Sequence, residues 1–169
     1  MTEAFIDKLV DAGDTYACLP LFADAGKMKR GELETLGHNY NPRDGSFDTE
    51  QIGAFRRFEK VRDEYGVSLM GEARVSKRNE AVCAALLQLF AEKALHVSFE
   101  IVAAQIREED GVSLIDAAEG NELMGMAVVS IPAYPEATAF ALVAEQKKEE
   151  NQVNEEQVKK NAELEMKLK

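Results

Sequence analysis

Between Lys77 and Leu95 the chain carries Ala81, Val82, Cys83, Ala84, Ala85, Leu86, Leu87, Leu89, Phe90, Ala91, Ala94 and Leu95, with no glycine or proline among them. A run this rich in alanine and leucine favours a helix by propensity. A helix that is apolar around most of its circumference belongs at the centre of a bundle, because no face of it suits water. Ser76 stands where such a helix needs its N-cap. The rest of the chain is therefore read for helices that could close around 77–95.

Several segments fit that expectation. Thr2 can cap a first helix with Phe5, Ile6, Leu9 and Val10 on one face and Gly13 at its end. Residues 14–24 read as a connection containing Pro20, and a short helix is predicted from Gly26 to Leu36, closed by Gly37. His38 to Phe47 concentrates turn formers. Asp48-Thr49-Glu50-Gln51 then has the form of a capping box. Ile52, Phe55, Phe58, Val61 and Tyr65 follow at three- and four-residue spacing, which predicts a helix ending at Gly66.

The second half is less decided. Residues 67–75 fit a short strand or an extended linker. His96 to Val102 could begin as strand, but Ala103, Ala104, Gln105 and Ile106 favour helix. Ser113 and Asp116 can cap a short helix ending at Gly120. Residues 122–131 could be helix or strand, with Val128-Val129-Ser130-Ile131 the best strand candidate in the chain but without an evident partner. After Pro132 and Pro135 a last helix would bury Phe140, Leu142 and Val143. The fold expected is mainly α: a small irregular bundle around 77–95, at most one short sheet, and a long charged C-terminal helix.

Charge divides the chain more sharply than hydropathy does. The net charge is −11, yet residues 145–169 hold seven acids and six bases, so nearly all of the imbalance sits before residue 145. The expected organisation is a helical globular domain over 1–144 and a charged helical extension over 145–169. Val153, Val158, Ala162, Leu164, Met166 and Leu168 make no sustained heptad seam. An acidic body repels phosphates and anionic lipid, which disfavours nucleic acid as a direct partner. No run approaches the roughly 20 apolar residues of a spanning helix, so no membrane insertion is expected. The first residues lack the pattern of a secretory signal, and an intracellular location, or one within an assembled particle, is expected. Cys18 and Cys83 read as two buried, reduced thiols.

Familiar catalytic motifs are missing: there is no phosphate loop, dinucleotide fingerprint, nucleophile elbow or zinc-protease helix. His38 and His96 stand apart in sequence, and His96 reads as a satisfied, partly buried imidazole at the end of the core helix. The loop 39–51 invites comparison with a calcium-binding EF-hand. With Gly45 at the sixth place, however, Tyr40, Pro42 and Gln51 fall on the first, third and twelfth ligand positions. Met124 and Met126 read as core.

These readings lead to a non-enzymatic assembly subunit of a larger complex, such as a viral or phage particle, with no cofactor and no metal. Its partners would be other protein subunits, including copies of itself within an assembly. Docking is expected through the C-terminal segment, with Phe140, Val143, Val153, Val158, Leu164 and Leu168 as the contact residues. The alternatives are an acidic regulatory module for a basic protein partner and a degenerate EF-hand-like calcium binder.

Overall fold

The Lys77–Leu95 segment forms a helix, but the helix packs on a sheet and not inside a bundle. The computed structural model describes residues 1–13, 18–64, 66–133, 137–139 and 141. Along the chain run α1 (Glu3–Asp11), β1 (Pro20–Ala23), α2 (Ala25–Arg30), a 3-10 turn (Leu33–Thr35), β2 (Tyr40–Asn41), β3 (Ser46–Phe47), β4 (Glu50–Asp63) and β5 (Gly66–Val75). They are followed by α3 (Glu80–Ala91), β6 (His96–Ala103), β7 (Arg107–Glu109), β8 (Val112–Leu114) and β9 (Asn121–Val129). Five strands make one sheet in the order β5-β4-β1-β9-β6, curled into half a barrel. The expected helical bundle with at most one short sheet is overturned by this architecture. The expected C-terminal helix and the boundary at 144 lie outside the described residues.

The largest correction is β4. Ile52, Phe55 and Phe58 have helical spacing, yet they lie on a strand. Leu21 faces Gly53 while Phe22 faces Gln51, so Ile52 is an extra residue opposite β1. Phe55 faces Ala73 while Arg57 faces Glu72, so Arg56 is an extra residue opposite β5. Each bulge resets the two-residue alternation by one position. The core-facing residues therefore recur every third residue and imitate a helix. Phe55 and Phe58 stack with centroids 5.0 Å apart. They do so over Gly71, where a Cβ would meet both rings at under 3.0 Å.

The strands of the second half supply each other's missing partners. β9 runs antiparallel to β6 and parallel to β1. Val128 and Val129 thus pair with Val97 and His96, and the predicted helical continuation through 103–106 does not occur. The short helix expected from Ser113 to Gly120 does not form: Ser113 lies in β8, paired with β7, and 115–120 is an irregular connection to β9. The region predicted as one helix from Gly26 to Leu36 is α2, ended by Gly31 in the left-handed conformation (φ 76°), and the separate 3-10 turn.

The core lies between one face of the sheet and the helices. Phe5 and Leu9 of α1, Met28 of α2, and Val82, Leu86 and Leu89 of α3 meet Leu21, Leu123, Met126 and Val128 of the sheet. Asn79 caps α3 in place of Ser76, accepting from the Val82 N–H. α3 is not apolar by need on every side: Leu87 is half exposed. Met126 is core as expected, but Met124 is exposed because it is the bulged residue between the Glu100–Gly125 and Ile101–Leu123 pairs. Cys18 is exposed and Cys83 half-buried, and both are free, which corrects the expectation of two buried thiols. Among the described residues, no helix is long and apolar enough to cross a membrane.

Phe5 is fully buried. Phe5→Ala should therefore lower the unfolding free energy by about 3–5 kcal/mol through lost burial and an unfilled cavity. Urea denaturation followed by circular dichroism would check this.

Candidate functional site

Strand alternation sorts the side chains of β6 onto two faces. Phe99 and Ile101 pack against the core. His96, Ser98 and Glu100 consequently share the other face. Their cross-strand partners on β9 are Val129, Ala127 and Gly125. On the far side of β9, Phe22 of β1 stands beside Ala127. Gly125 has no side chain because Phe22 occupies the space: a Cβ there would lie 2.8 Å from the Phe22 ring and 2.9 Å from the Pro20 carbonyl oxygen. The floor of this face is therefore Phe22, Gly125 and Ala127, with Ser98 and Glu100 standing at its β6 side.

A histidine from a distant part of the chain reaches this floor. His38 Nδ1 lies 3.1 Å from Glu100 Oε1. Glu100 is the more buried partner, with 11% of its side chain exposed against 31% for His38. A carboxylate held this dry has few water molecules to satisfy it, so the imidazole N–H is its natural donor. With Nδ1 engaged by Glu100, Nε2 is the nitrogen left for a third group. The nearest hydroxyl along the strand is Ser98, two residues from Glu100 on the same face, or roughly 7 Å along the backbone. Among the described residues the Ser98 side chain makes no hydrogen bond.

The segment that carries His38 is fixed from both sides. At the end of β9, Ser130 Oγ accepts from the Leu36 N–H (2.7 Å) and donates to the Leu33 carbonyl (2.9 Å), while the Ser130 N–H donates to the Leu36 carbonyl (2.9 Å). Leu33 and Leu36 are buried beneath it. After His38, Asn39 adopts a left-handed φ of 50°. Asparagine tolerates this region better than most residues. Its amide donates to Asp24 Oδ2 (2.6 Å) and to the Asp48 carbonyl (3.2 Å). Asp24 also caps α2 by accepting from the Lys27 N–H at 2.8 Å. Partial burial pushes the Asp24 carboxyl up, but the Lys27 N–H, the Asn39 amide and the charges of Lys27 and Arg30 outweigh it and hold its pKa below the usual value.

Beyond Asn39 the chain makes a two-stranded hairpin in which Tyr40 faces Phe47. Asn41 Oδ1 accepts from the Arg43 N–H, and Asp44 Oδ1 accepts from the Ser46 N–H and hydroxyl. Asn41 Oδ1 and Asp44 Oδ1 are thus engaged in the turn itself. The helix an EF-hand needs after the loop is the strand β4. Among the described residues, no group of three or more His, Cys, Asp or Glu side chains is arranged to hold a metal ion.

His96 is on a strand and not at a helix end, and among the described residues its buried Nδ1 has no hydrogen-bond partner, which corrects the expected satisfied imidazole. Sequence reasoning did not single out Ser98 or Glu100. The signal was present: read as a strand, His96-Val97-Ser98-Phe99-Glu100 alternates polar and apolar residues, and alternation gathers the three polar groups on one face. The residues expected to bind a partner, Phe140, Val143, Val153, Val158, Leu164 and Leu168, lie outside the described residues. No family model, curated protein or solved structure matches this chain.

The Asp24 contacts make the placement of His38 sensitive to acid. Because the folded-state pKa of Asp24 is depressed, its contribution to stability is present above the ordinary carboxyl value of 3.8 and is lost as pH falls through the folded value. Asp24→Asn should keep a competent α2 cap but remove the charge, turning the charge-assisted hydrogen bonds from the Lys27 N–H and the Asn39 amide into neutral ones and lowering stability at pH 7 by about 1 kcal/mol. The wild type and variant should converge in stability as the pH is taken below 4, in paired urea titrations.

Proposed function

We propose that this chain is a hydrolase that works by acyl transfer, with Ser98 as nucleophile, His38 as general base and acid, and Glu100 as the carboxylate that orients His38. The observation that supports it is the His38–Glu100 contact on the face that also carries Ser98. A serine hydroxyl is a weak nucleophile unless a base removes its proton as it attacks, and a histidine does this well only in a fixed tautomer and orientation. Glu100 accepting from Nδ1–H leaves Nε2 as the unprotonated nitrogen.

In this scheme the Ser98 oxygen attacks a substrate carbonyl carbon and its proton passes to His38 Nε2. The carbonyl oxygen carries the negative charge of the tetrahedral intermediate. His38 then returns the proton to the leaving group as the bond to it breaks, giving an ester on Ser98. Water attacks that ester, with His38 again taking and returning the proton, and the free acid and Ser98 hydroxyl are released. The imidazolium formed at each stage is stabilised by the Glu100 carboxylate.

Labelling with a fluorophosphonate probe and hydrolysis of p-nitrophenyl esters test the scheme. Ser98→Ala should abolish both, and His38→Gln should reduce ester turnover by about 10³-fold or more, within the range seen for triad members. Glu100→Gln should reduce turnover while leaving labelling detectable at long times. Labelling of Ser98→Ala at the wild-type rate would refute the assignment.

A second proposal draws on the charge discontinuity at residue 145: an assembly subunit retained in a larger complex through residues 145–169. The two separate cleanly, since removing 145–169 would release such a subunit from its complex without touching ester turnover, and Ser98→Ala would do the reverse.

A further inference from the structure

Tyr40 and Phe47 are directly opposed on the β2–β3 hairpin, with ring centroids 5.3 Å apart, and both remain about half exposed. Large aromatic rings paired at a surface still leave apolar area in contact with water, and the area is best covered by another apolar group. Their position gives that group an identity. Phe47 meets the His38 ring edge-on, 6.3 Å between centroids, and His38 in turn is held on Glu100. The aromatic shelf is therefore continuous with the catalytic imidazole of the acyl-transfer reading, on which this inference rests.

The hairpin is also short and internally determined. Its turn is closed by the Gly45 N–H donating to the Asn41 carbonyl and by the Asn41 and Asp44 side chains, and its base by the Asp48 N–H donating to the Asn39 carbonyl. Asn39 thus belongs to both the hairpin base and the His38 anchor. Asn39 and the Phe47–His38 ring contact thus place the shelf directly beside the imidazole.

We propose that Tyr40 and Phe47 form a specificity subsite that receives a large apolar side chain of the substrate, next to the carbonyl attacked by Ser98. The alternative account of the pair is cross-strand stabilisation of the hairpin alone. That role would scale all substrates equally, whereas a subsite discriminates among them.

The test compares kcat/KM for the p-nitrophenyl esters of N-acetylalanine and N-acetylphenylalanine, with the same leaving group. The full chain is used, and turnover by Ser98→Ala is subtracted as background. The wild type is expected to favour the phenylalanine ester by at least about 10-fold, in the range a single apolar pocket supplies. The double variant Y40A/F47A should bring the ratio close to one. Y40L/F47L, which keeps apolar bulk in the hairpin, should hold an intermediate ratio. A wild-type ratio near one, or a ratio unchanged in Y40A/F47A, overturns the subsite. Absence of any Ser98-dependent turnover, together with no fluorophosphonate labelling, instead overturns the acyl-transfer reading itself and the subsite with it.

Discussion

β9 is the strand on which the other parts depend. It lies between β1 and β6, parallel to one and antiparallel to the other. From Gly125 to Val129 every residue is buried. A strand buried on both faces has to find covering groups on both. On one side Met126 and Val128 meet the apolar faces of the helices. On the other, Gly125 and Ala127 are small enough for Phe22 and the neighbouring segment to lie close. The same strand leads directly into Ser130, which holds the turn leading to His38. Core and candidate site are therefore two faces of one element.

The beginning of β9 is secured by a buried polar group. Asn121 is fully buried. Its amide donates to the Gln105 carbonyl (2.7 Å) and the Asp116 carbonyl (3.0 Å), and accepts from the Gln105 N–H (2.9 Å). A buried amide with its partners in place avoids the cost of desolvation without compensation and specifies one arrangement of the connecting loops. The Lys8 ammonium reaches the Asn121 carbonyl, and Thr2 donates to Asp116 Oδ1, so α1 is tied to the same corner. The ion pairs that join α1 to the hairpin of β4 and β5, Lys60 with Glu3 and Asp7 and Arg62 with Glu3, are exposed. Water and salt screen such pairs, and the apolar contacts of Phe5 and Leu9 hold the helix in place.

How much of this was legible in the sequence depends on which periodicity was intact. α1 and α3 have uninterrupted helical spacing and form close to the expected positions. β4 does not alternate, because two bulges displace its pattern, and its apolar residues matched the wrong template. β9 is without polar residues from Met124 to Val129, because from Gly125 onward it is covered on both sides. A continuous apolar run cannot be told from a buried helix by periodicity. The site was hidden for a related reason. His38 lies 62 positions from Glu100, and only the sheet topology brings a loop beyond α2 across β1 and β9 to β6. Ser98 and Glu100 become neighbours on a face only once 96–103 is read as a strand.

The division of the site between one strand and one clamped loop has a chemical consequence. Ser98 and Glu100 are fixed relative to each other by the backbone of β6, which pairs with β9 along its length. The His38 imidazole that meets Glu100 is the independent part, and its position is set by contacts elsewhere: Ser130 before it, and Asn39 with Asp24 after it. General base catalysis is steeply sensitive to misplacement of the base, whose proton transfer works over hydrogen-bond distance alone. Under the acyl-transfer proposal the groups that hold His38 are as decisive as the carboxylate it touches. Asp24 links this anchor to the α2 cap, so the same carboxylate that starts a helix also fixes the turn that carries His38.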